Sequence, residues 1–162
     1  MCSFTVKADS KKNELSFHCR ISPPFDPRTS PDGHHKYRPF IAIFDTGATH
    51  TVITQDIVEI FKLKATGVTN VYTANGKNTG ASYYVNIALP NDKYGFVGHR
   101  VTRQQLPPGT DVLIGMDIIG LGDLAVTHQN GKTVFSFCYP SRELIDFAGA
   151  LPVRLGTQKR RM

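Results

Sequence analysis

The stretch Phe40-Ile41-Ala42-Ile43-Phe44-Asp45-Thr46-Gly47-Ala48 constrains this chain more than any other. Its first five residues read as an apolar strand, and the strand runs straight into a carboxylate. An Asp in that position is costly to desolvate unless donors reach it or it keeps its proton. Gly47 supplies a way out: without a Cβ, the chain there can fold back and bring backbone N–H groups to the Asp45 carboxylate. Thr46 adds a hydroxyl that can donate or accept, and Ala48 keeps the turn uncrowded. Asp, Thr and Gly are also common in ordinary surface turns. The apolar runs on both sides, FIAIF and ATHTVI, argue that this one is a carboxylate holder set between buried segments.

Around this stretch the chain reads mostly as β-structure. SFTVKA and ELSFHCRIS alternate like strands, and the polar DSKKN between them predicts a hairpin. Residues 23–39 hold five prolines and an Asp-Gly step, which predicts an exposed loop with no continuous ladder of donors. His34 and His35 lie in that loop, without a Cys or carboxylate at ligand spacing, so they read as loop residues rather than a metal site. Thr54 to Leu63 predict a short helix, with Thr54 as N-cap, Asp56 and Glu59 in the early turns, and Ile57, Ile60 and Phe61 on one face. VTNVYTANGKNTGASYYVNIALP predicts two strands around a mobile tip, and YGFVGHRVTR continues the β pattern. DVLIGMDIIG carries a second apolar strand into Gly115 and then a short helix or turn. In LAVTHQNGKTVFSF, Asn130-Gly131 suits a type I′ hairpin turn. The last segment, after Tyr139, predicts at most one helical turn and then a disordered basic tail.

With 162 residues, 40% of them apolar, the chain suits one cored domain. It shows neither an 18-residue apolar run nor a signal-like leader, so the expectation is a soluble, cytoplasmic protein. Three widely spaced cysteines, Cys2, Cys19 and Cys138, fit reduced thiols better than a disulfide framework or a metal site. The net charge of +6 draws much of its excess from local runs, above all Arg154, Lys159, Arg160 and Arg161 in the tail. No basic helix, RNA-binding aromatic motif or zinc finger accompanies it, which argues against a nucleic-acid partner.

FDTGATHTVI, a hairpin centred on TANGKNTG, and VLIGMD, in that order, resemble the retroviral-type aspartic proteases, particularly the small retropepsin-like domains of cellular genomes. The resemblance covers roughly Leu15 to Phe137. It implies a mostly β fold, a retropepsin-like acid-protease half-barrel with one or two short helices, that forms a twofold homodimer. It places the protease domain at residues 1–140, with 23–39 as an inserted loop and 141–162 as an extension. The activity implied is aspartic endopeptidase, with no metal or cofactor. The catalytic residue is Asp45, supported by Thr46, Gly47 and Ala48, and substrate contacts fall to Thr49 and to Thr73, Ala74, Asn75 and Gly76 at a flap tip. Hydrolysis of this kind needs two carboxylates, one as base and one protonated. The chain has one such motif, so the second must come from a second copy, and the partners are self and a peptide. Asp117 in VLIGMD is the runner-up carboxylate, and the family pattern makes it structural, as a helix cap or a salt-bridge partner.

The match departs from viral members in places. They carry an acidic residue soon after the motif's Ala and an Arg after the later Gly, whereas this chain has Thr49, His50 and Met116. The flap stretch also lacks their run of glycines. The rival reading is a non-catalytic dimerisation module of the same fold that binds an extended peptide. An aspartyl-phosphate enzyme is a weaker rival, because the acidic metal cluster and phosphate-holding Lys of that class are not found.

Overall fold

Alternation decides the architecture. In the strand Leu15–Ser22 (β2), Phe17, Cys19 and Ile21 are buried while Ser16 and His18 are exposed, a period of two that turns one face inward. The computed structural model describes residues 2–26, 28–30, 36–73, 76–91 and 95–147. The chain order begins with Cys2–Lys7 (β1), β2, Arg38–Phe44 (β3), Val52–Ile53 (β4) and the helix Gln55–Ile60 (α1). It continues with Gly67–Thr73 (β5), Gly76–Ala88 (β6), Gly95–Arg103 (β7), Val112–Ile114 (β8), the helix Met116–Ile119 (α2), Asp123–Gln129 (β9) and Lys132–Tyr139 (β10).

Seven strands form one sheet in the order β2-β3-β8-β4-β7-β6-β5, and β2 also pairs with β6. That extra pairing closes six strands into a barrel-like ring and leaves β5 outside it, so the β5/β6 hairpin projects from the ring. Ile21, Ile53, Val85, Ile87, Val101, Val112 and Ile114 are fully buried inside. Between β6 and β7 the register slips at Asn86. There a buried Asn has both ends of its amide satisfied: Nδ2 donates to the Phe25 carbonyl at 2.9 Å, and Oδ1 accepts from the Gly98 N–H at 2.7 Å.

A second sheet, β1-β10-β9, packs its aromatics against the ring. Phe4 of β1 lies 5.2 Å from Phe17, Phe17 lies 4.6 Å from Phe44, and Phe44 lies 5.2 Å from Phe137 of β10. Tilted pairs of this kind are worth roughly 0.5–1.5 kcal/mol each beyond the area they bury. Phe44 is the residue before Asp45, so the cluster anchors the strand that delivers the carboxylate.

The mostly β architecture with short helices is the one expected, and several local readings stand. Asn130 and Gly131 have φ of 53° and 70° and join β9 to β10 as a two-residue turn. Strands β5 and β6 form the central hairpin, with Thr73 opposite Gly76; Ala74 and Asn75 lie outside the described residues, as do His34 and His35. Other readings need correction. The strands β1 and β2 do not form a hairpin: β1 pairs with β10, Phe4 opposite Phe137, in the other sheet. The polar link between them instead wraps Thr133, whose Oγ1 accepts from the Lys12 N–H at 2.8 Å and whose N–H reaches the Ser10 carbonyl at 3.2 Å. Helix α1 is shorter than Thr54–Leu63, because Lys62 takes a φ of 50° and turns the chain away. Its core residues are Ile57 and Val58, with Ile60 exposed, and Thr54 sits at the N-cap without a side-chain cap bond. Residues 141–147 hold no helix, and the rest of the last segment, 148–162 with the basic tail, lies outside the described residues. Among the described residues, no helix is long and apolar enough to cross a membrane.

Candidate active site

The strand β3 carries Asp45 to the rim of the ring. On one side β3 pairs with β2 antiparallel, and on the other with β8 in parallel register, Phe44 opposite Ile114. The Asp45 N–H extends that ladder by donating to the Ile114 carbonyl at 3.0 Å. The chain then turns at once. The Gly47 N–H donates to Asp45 Oδ1 at 2.8 Å, and the Ala48 N–H donates to the Asp45 carbonyl at 3.2 Å. Gly47 keeps an ordinary φ, so its value here is space: a Cβ would stand 3.2 Å from Asp45 Oδ1. The turn thus holds one carboxylate oxygen with its own backbone and leaves the other available.

Burial changes abruptly along this loop. Ala42 and Phe44 before it and Val52 and Ile53 after it are buried, Asp45 and Ala48 are half-buried, and Thr46, Gly47, Thr49 and His50 are exposed. The flanks match the sequence reading, while the turn itself stands open in the single protomer. Thr46 is exposed, and its hydroxyl has no partner among the described residues.

Behind the loop, Gly115 and α2 press against it. The Met116 N–H donates to the Ala48 carbonyl at 2.8 Å, and a Cβ on Gly115 would meet the His50 backbone at 2.7–2.9 Å. Asp117 locks this contact. Its Oδ1 accepts from the Thr51 hydroxyl and its Oδ2 from the Thr51 N–H, both at 2.8 Å, while Oδ2 also meets His99 Nε2 at 3.0 Å. The Thr51 hydroxyl in turn lies 3.2 Å from the Gly115 N–H. Partial burial pushes the Asp117 carboxyl up, but the bonds from His99 and from the Thr51 N–H and hydroxyl outweigh it and hold the group below its ordinary value. Among the described residues, no hydrogen bond joins Asp117 to Asp45. Asp117 is the side-chain partner of His99, at salt-bridge distance, rather than a cap, since Gly115 occupies the α2 N-cap.

Sequence reasoning did not single out His99 or Thr51. A signal existed for His99: it lies two residues before the buried Val101 on one strand, so the same face that enters the core presents an imidazole needing a partner. Of the predicted substrate contacts, Thr49 lies on the loop, and Thr73 and Gly76 close the β5/β6 hairpin. Elsewhere, burial pushes the Cys19 thiol up to about 12, which keeps it protonated and unreactive. Among the described residues, no group of three or more His, Cys, Asp or Glu could hold a metal ion.

Three solved structures are similar to this chain. A retropepsin-like aspartic protease from Rickettsia conorii is 11% identical, with a TM-score of 0.50 over 85% of this chain and 94% of that one. The EIAV protease complexed with the inhibitor HBY-793 is 18% identical, with a TM-score of 0.46 over 67% of this chain and 88% of that one. The retroviral protease-like domain of Ddi1 from Leishmania major is 16% identical, with a TM-score of 0.46 over 77% of this chain and 95% of that one. No curated protein matches the chain. At 11% identity the likeness to the Rickettsia conorii structure is one of fold. The family described as "gag-polyprotein putative aspartyl protease" matches residues 32–120, a span that holds Asp45, the β5/β6 hairpin, Gly115 and Asp117. With more than half of its length matched, the chain belongs to that retropepsin-like aspartic protease family.

Proposed function

We propose that two copies of this chain form an aspartic endopeptidase, a hydrolase in which the Asp45 of each copy meets the other across a twofold axis. The observation that carries this reading is the turn itself: one carboxylate, one oxygen held by the Gly47 N–H, on an open loop whose flanks are buried. Two such carboxylates brought together repel as anions, so one proton is shared between them. The ionised member takes a proton from water as the water oxygen attacks the peptide carbonyl carbon. The protonated member donates to the carbonyl oxygen, giving a tetrahedral gem-diol. Collapse of that intermediate breaks the C–N bond, the leaving nitrogen gains a proton, and the pair returns to its starting charge.

The rest of the site takes roles around that step. Thr46 would exchange hydrogen bonds with the second copy, and the Gly47 carbonyl would align substrate backbone. Thr49 would line the groove, and the hairpin tip at Thr73, Ala74, Asn75 and Gly76 would close over an extended peptide and exclude water. No metal or cofactor takes part in this scheme.

Asp45→Asn tests the reading. The variant should lose peptide hydrolysis altogether while keeping its folded state and its sedimentation as a dimer. Unchanged cleavage by that variant would rule the mechanism out. A wild-type dimer that binds extended peptides but cleaves none in a diverse library, from acidic to neutral pH, would establish the non-catalytic binding module instead.

A further inference from the structure

A cavity of about 530 Å³ opens beside the Asp45 loop, between the base of the β5/β6 hairpin, β7 and the start of α2. Arg100 lines it together with His50 and His99, and among the described residues Asp117 is the only carboxylate in the lining. Both Asp117 oxygens are already taken, by Thr51 and His99. Arg100 is held in place from one side: its Nη2 donates to Thr69 Oγ1 at 2.7 Å and to Ser82 Oγ at 3.1 Å, tying β7 to both arms of the hairpin. Those two bonds leave three of a guanidinium's five N–H groups, on Nε and Nη1, without a partner among the described residues. A guanidinium fixed by one nitrogen, with an unpaired N–H edge, is prepared for a planar carboxylate. Tyr84 belongs to the same lining, and a phenol O–H can donate as well.

Position says where such a carboxylate would come from. His50 belongs to the loop that begins at Asp45, and Thr69 and Tyr84 belong to the hairpin assigned above to cover the peptide. On that reading a peptide held at the Asp45 turn passes His50, the lining residue that belongs to the Asp45 loop. Resting on the peptidase reading, we propose that the cavity selects an acidic side chain, Glu or Asp, in the extended substrate, with Arg100 as the residue that reads it.

Peptide pairs identical except for Glu or Gln at one position, scanned along both sides of the scissile bond, test the proposal. At one position the wild type should cleave the Glu peptide with a kcat/KM about fivefold above the Gln peptide, the scale of a partly exposed charge pair. In Arg100→Gln that ratio should fall to about one, and in Arg100→Lys it should return in part. Because Arg100 also ties the hairpin, absolute rates can drop in either variant; the ratio within each variant removes that uniform effect. No position with a Glu preference in the wild type, or a preference unchanged in Arg100→Gln, would overturn the proposal. Should the wild type cleave nothing, the peptidase reading fails on its own. Fluorescence anisotropy of the same labelled pairs then decides the cavity separately: a tighter Kd for Glu that Arg100→Gln removes supports it, and equal Kd values overturn it.

Discussion

Gly115→Ala isolates the contact that supports the Asp45 loop from behind. Gly115 has φ −93° and ψ −173°, an extended conformation open to any residue, so the substitution introduces no backbone strain. What it introduces is a Cβ 2.7 Å from the His50 carbonyl carbon, 2.8 Å from its oxygen and 2.9 Å from its nitrogen. Ordinary contact begins at 3.4 Å, so the His50 peptide must retreat by about 0.7 Å at its closest atom. Neither side yields easily. The Ala48 carbonyl is tied to the Met116 N–H, and Thr51 is tied to Asp117 by two bonds of 2.8 Å. Because the obstacle is backbone rather than the end of a flexible side chain, the cost belongs in the upper part of the overpacking range, about 2–3 kcal/mol. For a chain of this size that lowers Tm by roughly 4–12 °C. Thermal unfolding followed by circular dichroism, at matched protomer concentration, reads the effect, with Gly67→Ala as control. No atom lies within 4 Å of a Cβ at Gly67, so that variant should stay close to wild type. A Gly115→Ala protein whose Tm falls no further than the control's would refute the packing argument.

Other expectations follow from the same geometry. Gly131→Ala meets no atom within 4 Å but forces a Cβ into φ of 70°, so it should cost about 1–2 kcal/mol by urea denaturation. Hydrolysis by Gly131→Ala should be unchanged, since that hairpin turn lies outside the proposed site. Asp117→Asn should cost about 1–2 kcal/mol at neutral pH, since hydrogen bonds to the charged group are lost. Because the folded-state carboxyl is held below its ordinary value, that contribution is complete above the unfolded value, near pH 4, and disappears as pH falls through the folded one. Tm measured against pH should therefore show the wild type and Asp117→Asn converging in acid; a gap constant with pH would contradict the assignment.

Local patterns carried much of this fold into view before any coordinates. The two-residue turn at Asn130-Gly131 was legible because left-handed φ at both positions leaves few sequences to choose from. Strand β3 and its turn were legible because an apolar run ending on Asp-Thr-Gly has few stable solutions. The hairpin assigned to β1 and β2 failed for the opposite reason. A polar link between two alternating segments fits a hairpin and a crossing between sheets equally well, and the choice was made by Phe4 packing on Phe17, Phe44, Phe135 and Phe137. Phe135 and Phe137 lie far along the chain, so no window around β1 contains the deciding contacts. The His99 and Asp117 pair was hidden in the same way: each residue looked ordinary until β7 and α2 were brought together behind Thr51.

The Asp45 turn poses a different problem, because its local geometry is complete and its chemistry is not. The backbone satisfies one carboxylate oxygen, β8 fixes the strand, and Gly115 fixes the loop, so nothing further is needed to fold it. Yet Thr46 and Gly47 are exposed between buried flanks, and the nearby Asp117 is committed elsewhere. A folding requirement alone would be met by Asn at position 45, whose side-chain oxygen can accept the same Gly47 N–H. What Asn cannot do is share a proton with a second carboxylate, and for that reason Asp45→Asn separates the fold from the reaction proposed for it.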